Sequence, residues 1–203
     1  MKKTAIQLFL LLVLATSFAG CKKDYGNKLG PLQDSVAPIP VTVTNQVYFE
    51  RFPVVTCTVG TGTNANGTFT INFSIPADKG KIKEITKVAT GNSGVEYLQS
   101  ALYPNYLTTP IAGNGTNTIT FSSDLNAVRS YVTRLNATFA AFPATSSATR
   151  TPAFAFSGTS VGGAGTLTPN TNPQTPNQLR FFFLITLEDG TQIITTEVDV
   201  RLI

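Results

Sequence analysis

"LRFFFLITLEDGTQIITTEVDVRLI", residues 179–203, decides the fold. Two runs rich in Phe, Ile, Val and Thr flank Asp189-Gly190. An Asp-Gly pair between such runs is a strong signal for a two-residue hairpin turn. Folding the strands through that turn sets a register in which Leu179, Phe181, Phe183 and Ile185 fall opposite Val200, Val198, Thr196 and Ile194. Arg180 then lies opposite Asp199, an opposite-charge cross-strand pair that the turn did not presuppose. Phe182 and Leu184 make the first run apolar on both faces. Such a strand is expected to lie centrally, covered on both sides.

Period-2 patterning recurs upstream. "TFTINFSIP" places Phe69, Ile71, Phe73 and Ile75 on one face and Thr68, Thr70, Asn72 and Ser74 on the other, a half-buried strand. "FPVVTCTVG" puts Val55, Cys57 and Val59 on one face, which makes Cys57 a small core residue. "TNTITF" (116–121) is a further strand, and "IPVTVTNQVYFE" is either a strand pair or one bent strand. In "GKIKEITKVATG", Ile82, Ile85 and Val88 would also suit a helix, but the β-branched content and the bounding glycines favour a strand. Two helices interrupt: a short one in "GVEYLQSAL", and a longer one in "SSDLNAVRSYVTRLNATF". In the latter Leu125, Val128, Val132, Leu135 and Phe139 recur at spacings of three and four, and Ser123 can cap. Residues 143–178 form a low-complexity loop rich in Ala, Thr, Ser, Pro, Gly and Asn, in which "AFAFSG" is a candidate strand and "TPNTNPQTPNQ" an extended, mobile loop.

Short strands, turn signals between them and a terminal hairpin predict a mainly β chain, an antiparallel β-sandwich with one or two short helical insertions over residues 41–203. The order of elements resembles the immunoglobulin-like and fibronectin type III-like modules of bacterial surface lipoproteins, with "FFFLITLEDGTQIITTEVDV" as the last two strands. The Tyr-corner and Cys…Trp…Cys hallmarks are absent.

The amino terminus has three zones. Lys2 and Lys3 are followed by an apolar run from Ala5 to Ala15, broken only by Gln7, and then by the small residues leading to Cys21. This is the layout of a secretory signal peptide over residues 1–20, with an apolar run too short to span a bilayer. The Ala19-Gly20-Cys21 ending resembles the lipobox of bacterial lipoproteins, with Phe18 where that family usually has Leu. The resemblance implies cleavage before Cys21, a diacylglycerol on its sulfur and an acylated amine, hence a membrane partner through that lipid. Lys22 follows the Cys where an Asp would favour inner-membrane retention, so the resemblance implies the outer membrane. Residues 21–40 carry the lipidated Cys and a linker with Pro31, Pro38 and Pro40 and no apolar periodicity. A flexible coil of the 19 residues from 22 to 40 spans roughly 25 Å on average. Within it Asp34-Ser35-Val36 resembles a short O-glycosylation signal.

Composition narrows the chemistry. The 203 residues include 15 basic and 11 acidic side chains, and loss of Lys2 and Lys3 with the signal would leave 13 against 11. The basic pI of about 9.1 is thus partly a property of the signal, and nucleic-acid binding gains no support. With no His and two Cys, Ser-His-Asp and Cys-His catalysis, His-based zinc sites and thiolate clusters are excluded. "GTGTNANGT" and "GTSVGGAGT" are Gly-rich but lack the Lys and the following helix of a phosphate loop. No cofactor, metal site or catalytic residue is expected.

Carboxylates remain: Glu50, Asp78, Glu84, Glu96, Asp124, Glu188, Asp189, Glu197 and Asp199 are scattered, whereas a glycosidase needs a facing pair. Asp189 reads as a turn residue, Asp199 as an ion pair and Asp124 as a helix start. The candidate ligand-binding residues are Tyr97, Tyr103 and Tyr106 in "VEYLQSALYPNY", which either stack on a sugar or partner protein or plug the end of the sandwich. Arg150 with Phe154 and Phe156 is a weaker patch with the same two readings. Three functions follow: a lipid-anchored, non-catalytic envelope module that binds or scaffolds; an accessory carbohydrate binder of an outer-membrane glycan-uptake system; and a carboxylate-dependent hydrolase.

Overall fold

Alternation of apolar and polar residues builds two sheets in the computed structural model, which describes residues 39–62, 65–91, 94–141, 154–156, 159–161 and 167–203. The strands are β1 (Thr42–Val43), β2 (Tyr48–Phe49), β3 (Pro53–Cys57), β4 (Thr68–Ser74), β5 (Ile82–Thr90), β6 (Ile111–Ala112) and β7 (Thr118–Asp124). They continue as β8 (Phe154–Phe156), β9 (Thr159–Val161), β10 (Gln178–Leu187), β11 (Gln192–Ile194) and β12 (Val198–Leu202). Helices α1 (Gly94–Gln99) and α2 (Leu125–Ala141) interrupt them. One sheet has the order β1-β4-β7. The other runs β2-β3-β12-β10-β5-β6, with β11 also on β10, and β8-β9 form a separate hairpin. In chain order this puts β1, β4 and β7 in one sheet and β5, β10 and β12 in the other, as in a β-sandwich.

Apolar side chains from both sheets interleave. Phe183 of β10 meets Phe73 of β4 and Phe121 of β7 with ring centroids 4.7 and 5.0 Å apart, and Phe181 meets Phe69 at 5.3 Å. Tilted and edge-on rings at these separations add to area burial. Val55, Cys57, Ile85, Val88, Val198 and Val200 complete the core from the larger sheet. β10 is central, between β12 and β5. Its outer face is covered at Phe182 by α1, where a Cβ on Gly94 would lie 2.5 Å from the ring's Cε2. Helix α2 buries Leu125, Val128, Tyr131, Val132 and Leu135.

Several expectations need correction. The Asp189-Gly190 turn is a three-residue loop, Glu188 to Gly190: the Leu187 carbonyl accepts from Gly190 N–H (3.0 Å) and Leu187 N–H donates to the Thr191 carbonyl (2.9 Å). Gly190 does have positive φ, at 88°. The longer loop shifts the near half of the hairpin by one, so Ile185 pairs with Ile193 rather than Ile194, and the Phe183 carbonyl accepts from Thr195 N–H rather than from Thr196. The Thr195–Glu197 stretch between β11 and β12 then holds one residue more than its partner, a bulge that restores Phe181↔Val198, Arg180↔Asp199 and Leu179↔Val200. The bulge re-aims the charges: Arg180 Nε pairs with Glu197 Oε1 at 3.2 Å, and Asp199 is buried without that ion pair. Helix α2 is capped by Asp124 rather than Ser123: Asp124 directly precedes Leu125 and its Oδ1 accepts from Ala127 N–H at 2.8 Å, while Ser123, one residue earlier in β7, shares a hydrogen bond with the Tyr106 hydroxyl.

The sandwich is not wholly antiparallel, since β12 pairs with β3 in parallel. β1 and β2 are neither a pair nor one bent strand, for β1 joins β4 and β2 joins β3 in the other sheet. The 168–178 segment is tied down by its own asparagines. Asn170 Nδ2 donates to the Thr175 carbonyl (2.6 Å), Asn177 Nδ2 to that of Thr168 (2.8 Å), and the Asn177 carbonyl accepts from Leu202 N–H (3.0 Å). Gln178 already belongs to β10.

Candidate functional site

A polar groove lies beside the outer face of the larger sheet. Val198, Val200 and Leu202 of β12 face the core, so Asp199 and Arg201 between them face outward. On β10 the same alternation turns Gln178 and Arg180 outward beside core residues Leu179 and Phe181. Register makes them neighbours: Gln178 sits opposite Arg201, and Arg180 opposite Asp199. Tyr48 of β2 lies opposite Val54, which lies opposite Asp199, so this row continues across β3.

Arg201 organises the site. Its Nη2 pairs with Glu50 Oε1, and its guanidinium lies over the Tyr48 ring, 4.4 Å from the centroid. Glu50, Arg201 and Gln178, with residues 173–176, line a cavity of about 420 Å³, within the ~300–1,000 Å³ usual for small-ligand sites. Among the described residues, Gln178 Nε2, Arg201 Nε and Asp199 Oδ1 are buried polar atoms with no hydrogen-bond partner. Burial pushes the Asp199 carboxyl up to about 7; the Glu197 and Glu50 carboxylates add to the shift, while the Arg180 guanidinium opposes it. Asp199 and Glu197 do not line the cavity, so among the described acidic residues only Glu50 does. The arrangement offers two kinds of donor and one carboxylate acceptor in a nearly charge-balanced setting.

The three tyrosines are not brought to one surface. Tyr106 is buried, its OH sharing a 2.6 Å hydrogen bond with Ser123 Oγ and its ring packed on Tyr131 and Phe181 at 5.3 and 5.6 Å. Its phenol is pushed well above the usual range, chiefly by burial. Tyr97 is buried and meets Tyr103 at 4.7 Å, while half-buried Tyr103 stacks on Phe139 at 5.4 Å and donates its OH to Glu96 Oε1. Only Tyr103 of the three keeps appreciable exposure. Cys57 is fully buried, and burial, helped by Asp124, pushes its thiol up to about 11, as suits a packing residue. Asp189 is a turn residue: its carboxylate accepts from Thr191 N–H at 2.9 Å, which lowers its pKa.

Cys21, Asp34-Ser35-Val36 and Arg150 lie outside the described residues, as do the side chains of Phe154 and Phe156. No helix among the described residues is long and apolar enough to cross a membrane. None of their His, Cys, Asp and Glu side chains gather in threes that could hold a metal ion. Glu50, Gln178 and Arg201 were not singled out as a site from sequence, and the one available signal was the strand alternation that puts Gln178, Arg180, Asp199 and Arg201 on one face. The chain matches no protein family, no curated protein and no solved structure. The class defined by fold and groove is a mainly β sandwich with, among the described residues, two α-helices and a polar cleft beside the larger sheet.

Proposed function

We propose that the chain is a lipid-anchored cell-envelope protein of the outer membrane, tethered through Cys21, whose β-sandwich is a non-catalytic binding or scaffolding module. The observation that carries the reading is the order Lys2-Lys3, apolar run, Ala19-Gly20-Cys21, followed by the Pro-containing 22–40 stretch and then by strands from Thr42 onward. A thioether-linked diacylglycerol with an acylated amine gives three chains, and two or more hold a protein stably at a bilayer. A carboxylate hydrolase has less support, because glycoside hydrolysis uses two carboxyl groups across the bond and a single described one lines the groove. An accessory carbohydrate-binding role in glycan uptake is favoured by the groove's mixture of donors and acceptor.

The test is metabolic labelling with palmitate. Wild-type protein should take up label and migrate as the processed form, and Cys21→Ser should accumulate as an unlabelled precursor. Normal labelling of Cys21→Ser would sink the lipid-anchor reading.

A further inference from the structure

We propose that the groove formed by Glu50, residues 173–176, Gln178 and Arg201 binds a neutral saccharide. The proposal rests on the binding-module reading and gives it a site and a ligand class. Gln178 is 5% exposed, lines the groove, and leaves its Nε2 without a partner among the described residues. Arg201, beside it across the strands, leaves Nε unpaired. Buried donors are almost always paired in native proteins, and two adjacent orphans at a cavity mark a place where an outside acceptor is expected.

Charge selects the ligand class. The Arg201 guanidinium is already matched by Glu50, so an added anion meets the Glu50 carboxylate and an added cation meets Arg201. A hydroxyl suits both, since it donates to Glu50 and accepts from Gln178 or Arg201. Stacking on Tyr48 holds the guanidinium plane, and the Pro173 and Pro176 rings offer apolar surface for the C–H faces of a pyranose. A peptide adding as a strand would need an unpaired sheet edge, whereas Arg201 and Gln178 stand on strands paired with each other.

The test uses the full chain in a sugar-free zwitterionic detergent, with maltoheptaose, cellohexaose and laminarihexaose as neutral probes. Polygalacturonate and chitosan oligomers serve as anionic and cationic counterparts, and binding is read by calorimetry. At least one neutral probe should bind and the charged polymers should bind more weakly. Gln178→Met keeps the side-chain length but removes the amide, and should weaken binding at least about tenfold. Its urea midpoint should stay level or rise, because an unpaired buried donor has been removed. Glu50→Gln, at an exposed position, should weaken binding without unfolding the chain. Tighter binding of polygalacturonate, or neutral-probe affinity unchanged in both variants, would overturn the proposal. So would the absence of any neutral binding; with Cys21 labelling intact, that result removes the saccharide site and leaves the anchored-module reading standing.

Discussion

Gly94→Ala separates local propensity from tertiary contact, because the two give opposite signs. Gly94 opens α1, and its φ lies outside the left-handed region that favours glycine. On propensity and unfolded-state entropy alone, Ala in a helix should gain about 0.5–1 kcal/mol. The structure sets against this a Cβ placed 2.5 Å from Phe182 Cε2, 3.0 Å from Cγ and closer still to Cδ2. The ring is 7% exposed on a central strand, so it has little room to withdraw. Overpacking of this kind costs about 1–3 kcal/mol, and three ring atoms at such separations argue for the upper half of that range. The net expectation is a loss of about 1–2 kcal/mol. With a urea slope of about 2 kcal/mol/M, the midpoint falls by roughly 0.5–1 M. Phe182→Ala in the same protein should remove the clash, leaving Gly94→Ala neutral or stabilising, with a coupling energy of at least about 1 kcal/mol in the double-mutant cycle. A higher midpoint for Gly94→Ala alone would show that α1 does not sit this close to β10.

Other variants probe the hairpin and its charges. Phe183→Ala removes a fully buried ring that bridges both sheets through Phe73 and Phe121, and should cost roughly 3–5 kcal/mol in urea unfolding; a loss as small as the ~0–1 kcal/mol expected of Arg180→Ala would reverse the face assignment. Gly190→Val forces a β-branched residue to a φ of 88° and should cost more than about 1 kcal/mol, and an unchanged midpoint would refute the positive-φ loop. Asp199 titrates near 7 when folded, against ~3.9 in an unfolded chain, so the native state holds a proton that the unfolded state has lost between those values. Its stabilising contribution is therefore fully present below about pH 4 and is lost as pH rises through about 7. Wild-type stability should drop by about 1–3 kcal/mol across that window relative to Asp199→Asn, and parallel pH profiles for the two proteins would contradict the buried, proton-holding carboxyl.

Period and turn chemistry were legible wherever a residue's environment depends on its near neighbours. Phe69, Ile71 and Phe73 announce a half-buried strand, Phe182 and Leu184 announce a strand covered twice, and the spacing of Leu125, Val128, Val132 and Leu135 announces α2. The hairpin register came out right at Arg180↔Asp199 although its turn was one residue short, because the bulge at Thr195–Glu197 compensates for the longer loop. A bulge relieves strain between strands and leaves no composition signature, so the sequence pattern could not place it. Tyr97, Tyr103 and Tyr106 looked alike in sequence; that Tyr106 enters the core and Tyr103 stays half exposed depends on where β5, β7 and α2 meet around them.

The amino-acid sequence by itself determines the β class, the core faces, the two helices and the absence of histidine chemistry, because each follows from side-chain type and short-range spacing. Tertiary structure alone decided that β3 lies parallel to β12, that Asp199 loses its ion pair, and that Glu50 meets Arg201. The first and last of those outcomes join residues about 150 positions apart, and loop closure over such lengths changes little in entropy from one pairing to another. The choice among long-range partners therefore fell to which sheet could bury its apolar face.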